Sequence, residues 1–173
     1  MFDRGILFVG AKGLGLSVLA EALALDILRE LEANTSTMHP LRVYSATLSE
    51  NAQTDPVLLR AMKRLQIEVS GLSIKPLALY AFAGAPRIDH VVMLDAELPP
   101  ATKLAIGETV DVWRWDIDPA CYIDKKQPGP RYLDYLKTAE NLRPKVAALL
   151  TDLTNLSDVA GRTFIDDIMA KTA

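Results

Sequence analysis

The sequence predicts an α/β domain: a four-stranded, mostly parallel sheet with helices on both faces. Three observations lead there. Four short apolar runs alternate along the chain with stretches whose apolar residues recur at helical spacing. A glycine-rich segment, residues 10–15, joins the first apolar run to the first of these helices. Capping residues and prolines stand where helices are expected to begin.

Residues 5–9 are continuously apolar ahead of the glycines, as in a strand covered on both faces. Leu16, Leu19, Ala20, Leu23, Ile27 and Leu31 then predict a helix of about four turns. Residues 34–40 are polar and end in proline, which reads as a loop, and residues 41–45 read as a second strand. Asp55 before Pro56 is an N-cap with proline at the first helical position, and Leu58, Ala61, Met62 and Leu65 form the buried stripe that follows. Residues 76–82 predict a short helix, 89–94 the third strand, 100–106 another helix and 110–115 the last strand. Residues 129–153 read as helical, with Pro144 marking a break or the start of a second segment. The expected organisation is one α/β domain over residues 1–153 and a helical extension over 154–173. In that extension Ser157 and Asp158 are placed to cap a short helix. Its apolar side (Val159, Phe164, Ile165, Ile168 and Met169) is expected either to dock on its own domain or to contribute to a homodimer or partner contact.

Composition narrows the function classes. A chain of 173 residues, 50% hydrophobic and 24% charged, suits one globular domain with a sizeable core. A net charge of −3 without a basic face argues against nucleic acid or an anionic membrane as partner. The single cysteine, Cys121, excludes an intrachain disulfide and a four-thiolate metal site. His39 and His90 stand too far from other ligands in sequence to suggest a metal, and no cofactor is implied. Asp3 and Arg4 make a poor secretory start, and no run approaches the ~20 apolar residues of a membrane span. A cytoplasmic location is the expectation.

The segment from Phe8 to Ser17, followed by Ala20-Glu21, resembles the signature loop of the low-molecular-weight protein-tyrosine phosphatases and related arsenate reductases. That family places Cys, five residues and Arg-Ser between the same strand and helix. Gly10 stands at the Cys position and Leu16 at the Arg position, while Ser17 and Ala20-Glu21 keep the pattern. The likeness continues in order through Ser45-Ala46, residues 62–67, Ser70, Lys75-Pro76-Leu77, the strand ending Leu94-Asp95, and Trp113 to Asp118-Pro119. It implies the family's sheet architecture, and it implies that Asp118 occupies the general-acid position.

The resemblance also states what is missing. The family's cysteine attacks phosphorus as a thiolate whose pKa is lowered by loop N–H groups and a helix N-terminus. Its arginine grips two phosphoryl oxygens, and its aspartate protonates the leaving oxygen. Gly10 has no side chain with which to attack. Leu16 brings neither charge nor donor and is expected to put apolar surface where phosphate would sit. By that mechanism the chain is expected to be inactive, with no catalytic residue beyond the retained Asp118.

The loop itself, Gly10, Ala11, Lys12, Gly13, Leu14, Gly15, Leu16 and Ser17, is the candidate anion site. Its N–H groups and the helix dipole suit phosphate, sulfate or a phosphorylated ligand, and Lys12 restores some positive charge. The competing reading is a structural turn whose glycines serve unusual backbone angles. Ser17 serves either a hydrogen bond within the loop or the start of the helix. Two enzymatic alternatives stay open. One is a nucleotide-dependent enzyme using residues 10–15, although the spacing is not G-x-G-x-x-G and the second strand brings no acidic residue for a ribose. The other is a residual phosphatase with displaced groups, Asp118 with Lys12 or Cys121.

Overall fold

The computed structural model describes residues 4–11, 15–35, 41–49, 53–95, 97–117 and 128–170; the side chains of residue 35 and, in the last stretch, of those outside 131–154 are excepted. In chain order the elements are β1 (Arg4–Gly10), α1 (Leu16–Thr35), β2 (Leu41–Thr47), α2 (Pro56–Arg64), a 3₁₀ turn (Leu77–Tyr80), β3 (His90–Met93), α3 (Pro100–Ile106), β4 (Asp111–Arg114) and α4 (Pro128–Ala170). The four strands form one sheet in the order β2-β1-β3-β4, and every pairing is parallel. The expected architecture is therefore present.

Parallel strands need crossovers, and the helices supply them on both faces. Alternation along β1 sorts its side chains: Ile6 and Phe8 enter the larger core with α1, α2 and α4, whereas Leu7 and Val9 enter a smaller core with Leu77 and Tyr80. β3 repeats the division, with Val92 on the first side and Val91 and Met93 on the second. β1 and β3 are the central strands and are buried throughout apart from Arg4, while edge strand β4 is exposed along its length.

Two helices differ from expectation. α1 runs 20 residues, longer than the four turns its apolar stripe marks. α4 runs 43 residues through Pro144 without a break and continues through residues 157 and 158, where a separate helix start was expected. An internal proline forfeits one backbone hydrogen bond and costs about 3 kcal/mol in a helix. Tertiary packing offsets that here. Tyr135, Ala139 and Leu142 before the proline are buried, as are Val146, Leu149, Leu150 and Leu153 after it. Arg143 also grips Asp26 and Glu30 on α1, each at 2.8 Å.

The cap at Asp55 is built as its sequence implies and does more besides. Its Oδ1 accepts the Val57 N–H at 2.9 Å, the N-cap bond of α2. Its Oδ2 accepts the Tyr135 hydroxyl at 2.9 Å and faces Arg131 Nε at 3.0 Å, so one buried carboxylate also fastens α2 to α4.

Candidate functional site

In a parallel sheet the ends where strands run into helices gather backbone N–H groups, and here the junction of β1 with α1 is that place. Gly10 closes β1 and is buried. Its carbonyl accepts the Leu48 N–H at 3.0 Å, which ties the junction to the end of β2. Gly15 has φ +94°, the left-handed region that favours glycine, and its carbonyl accepts the Leu19 N–H at 2.8 Å to open α1. A Cβ on Gly15 would also stand 2.4 Å from Leu58 Cδ2. The structural reading of the glycines thus holds at Gly15.

It does not hold at Gly10. A Cβ there would meet Ser17 N at 3.7 Å, Asp95 Oδ1 at 3.8 Å and Ser17 Cβ at 3.8 Å, all ordinary contacts, and φ is not positive. Among the described residues neither backbone angle nor packing demands a glycine, and there is room for a Cβ.

Leu16 corrects an expectation. Its side chain is 4% exposed and belongs to the larger core, with Val57, Leu58 and Met62, so its apolar surface is packed inward. The first residue of a helix can turn inward when the neighbouring face is apolar, and α2 offers that face. Ser17, at the second position of α1, is also buried.

The group that the sequence reading gave no role is Asp95. Register explains its position. Val9 pairs with Met93, so the residue two places beyond each, Ala11 and Asp95, lie side by side at the strand ends. The Ala11 N–H donates to Asp95 Oδ1 at 2.6 Å, and the carboxylate is half-buried. The signal was in the sequence only jointly, as two apolar strands ending in Gly-Ala and Leu-Asp that had to be aligned with each other.

Beneath the junction lies a buried polar frame. Glu21 of α1 accepts the Ser45 hydroxyl at 2.5 Å, and Tyr80 donates its hydroxyl to the Ser45 carbonyl at 3.2 Å. Burial raises the Glu21 carboxyl above its ordinary range, against the hydrogen bond from Ser45 and the charge of Lys75. Burial likewise pushes the Tyr80 phenol up to about 12, with the Glu21 charge adding to it. Ser45 and Ala46 lie inside β2 and not in a turn after it, and Ser45 is part of this support.

Other candidates fall apart from this place. Lys12, Gly13, Leu14, His39, Asp118 and Cys121 lie outside the described residues. His90 is buried at the opposite, N-terminal end of β3, where its Nδ1 is 3.4 Å from Asp111 Oδ2, and burial lowers its pKa. Trp115 packs on Phe8 with ring centroids 6.0 Å apart, whereas Trp113 stays 40% exposed. Trp113 lines an open groove of about 360 Å³ with Lys145, Leu149 and Asp152. Among the described residues no group of three or more His, Cys, Asp or Glu is placed to hold a metal ion, and no helix is long and apolar enough to cross a membrane.

No protein-family model matches the chain, and no curated protein matches it significantly. Solved structures do. An arsenate reductase in its reduced state matches with a TM-score of 0.58 at 21% identity, over 87% of this chain and 98% of its own. YfkJ from Bacillus subtilis gives 0.61 at 17% identity, over 90% and 97%. A low-molecular-weight protein tyrosine phosphatase from Bacillus subtilis gives 0.55 at 19%, over 87% and 97%. The fold is that of the low-molecular-weight phosphatases and arsenate reductases. Within this phosphatase-type fold, the described part of the loop end comprises Gly10, Ala11, Gly15, Leu16, Ser17 and the carboxylate of Asp95.

Proposed function

We propose that this chain is a phosphatase-fold protein without phosphatase chemistry, acting by non-covalent binding of an anionic group at the junction of β1 and α1. The anionic group is a phosphorylated or carboxylate-bearing side chain presented by a protein partner, with phosphate and sulfate as its simplest mimics. Gly10 carries the reading. At the position where the resemblance puts a thiolate there is no atom that can attack phosphorus. Leu16, at the position of the phosphate-gripping arginine, is packed into the core and offers no second-best donor. The Ala11 N–H nevertheless donates to an anionic oxygen, that of Asp95, so the junction retains a donor suited to an oxyanion.

The nucleotide reading gains less support. β2 ends in Tyr44, Ser45, Ala46 and Thr47, with no acidic side chain for a ribose, and the nearby Glu21 is buried against Ser45.

Two measurements on the purified chain test the proposal together. Turnover of p-nitrophenyl phosphate should not exceed that of a mock preparation. Titration with phosphate, sulfate and phosphotyrosine should shift the Ala11 and Ser17 amides saturably in NMR spectra. Turnover abolished by Asp118→Ala would establish the residual phosphatase instead. Micromolar affinity for a dinucleotide would establish the nucleotide enzyme.

A further inference from the structure

The geometry points to Asp95 as a resident competitor: its carboxylate occupies the donor that an incoming oxyanion needs and thereby sets the affinity of the junction. The inference rests on the reading that the junction binds anions, and adds what limits that binding.

Three observations meet at one spot. Gly10 leaves side-chain space that packing does not require to be empty. Asp95 Oδ1 stands 3.8 Å from where a Cβ would lie, at the edge of that space. The same oxygen accepts the Ala11 N–H at 2.6 Å. An oxyanion approaching that space meets a donor already engaged and a negative charge a few ångströms away. Both effects oppose it, because like charges repel at this range and a donor given to one acceptor is lost to another. Arg114, which pairs with Met93 two residues before Asp95, is itself engaged by Glu97 at 2.7 Å.

The competitor is attached to the end of β3, whose pairing with β1 fixes it in register. It is therefore always present at high effective concentration, and a ligand succeeds only by displacing it. A multivalent partner that also contacts the surrounding surface can do so, whereas free phosphate is held weakly. The junction selects presented anionic groups over small free anions for this reason.

The test compares inorganic phosphate binding to the full chain, Asp95→Asn, Asp95→Ala and Glu108→Gln, following the Ala11 and Ser17 amides. Asp95→Asn keeps an oxygen acceptor and removes the charge; Asp95→Ala removes both. Each Asp95 variant should bind phosphate about tenfold more tightly than the unsubstituted chain, or more, at low ionic strength. Glu108→Gln makes the same change in net charge at an exposed turn elsewhere and should alter affinity less than about twofold. Equal affinity in the unsubstituted chain and both Asp95 variants would overturn the inference while leaving anion binding intact. Equal tightening by Glu108→Gln would also overturn it, reducing the effect to net charge. Absence of saturable shifts in every variant would overturn the inference and the anion reading together. Aryl phosphate turnover by the unsubstituted chain would sink the non-catalytic reading alone. Amide dispersion and melting temperature establish that each variant is folded; if one Asp95 variant is not, the other decides.

Discussion

Beneath the junction of β1 and α1, Glu21, Ser45 and Tyr80 form a connected buried set in which each polar contact is met. At the junction itself, Gly10 offers no functional group, Leu16 has joined the core, and Asp95 engages the loop amide. The two regions lie within one helical turn and one strand end of each other, yet the junction lacks the cysteine and arginine that the resemblance leads one to expect, while the lower one holds Glu21 and Ser45. The difference teaches that the frame is held by stability and position 10 is not. Removing a partner from a buried polar set strands the others without water, at about 1–3 kcal/mol per group. A glycine at position 10 strands nothing of this kind: the nearest described atoms are Ser17 N, Ser17 Cβ and an Asp95 oxygen that has its own donor.

The sharpest way to break this comparison is to add a methyl group to each of three glycines. In Gly5→Ala the new Cβ would stand 1.9 Å from the Arg87 carbonyl oxygen, a backbone atom that cannot step aside. In Gly15→Ala it would meet the fully buried Leu58 at 2.4 Å with an unfavourable φ. Each should lose roughly 3–5 kcal/mol in denaturant unfolding. Gly10→Ala should change stability by less than about 0.5 kcal/mol. A large loss there would show that position 10 is as constrained as the frame.

Next in size, Asp55→Ala removes the cap of α2 and leaves Tyr135 and Arg131 without their shared carboxylate. A loss of roughly 2–3 kcal/mol is expected in the same assay, with amides of α2 and α4 losing hydrogen-exchange protection together. Loss confined to α2 would mean that the carboxylate serves only as a cap.

The smallest effect concerns the frame's charge. The Glu21 carboxyl is raised in the folded chain by burial, so the folded state holds its proton more firmly than the unfolded state does. Its contribution is fully present below the ordinary carboxylate range and is lost as pH rises through the raised folded value. Relative to Glu21→Gln, which cannot titrate there, the melting temperature of the unsubstituted chain should decline as pH rises across that window. A parallel pH profile for both would show that Ser45 and Lys75 fully offset the burial.

The architecture was legible in the sequence because its signals are local. An apolar run ahead of glycines gave β1, and Asp55-Pro56 gave the start of α2 with its cap. The candidate site was half legible. Residues 10, 11 and 15–17 are contiguous and could be read as a loop, but Asp95 is 84 positions from Ala11 and becomes its neighbour only through register. The inward turn of Leu16 depended on α2 offering an apolar face, and the passage of α4 through Pro144 depended on burial to either side. Spacing along one segment contains neither fact.

The unequal settings of Gly10 and Leu16 impose a direction on change. A cysteine at position 10 would place its Cβ at ordinary contact distances from the described atoms around it, so a thiol can be introduced there without a clash at that atom. An arginine at position 16 would have to leave the interior or carry its charge into it, abandoning the place that Leu16 holds in the larger core. Introducing both side chains is therefore opposed at position 16 and not at position 10. The leucine makes the exchange uneven: the better the core packs around it, the more a guanidinium at position 16 would cost, whatever stands at position 10.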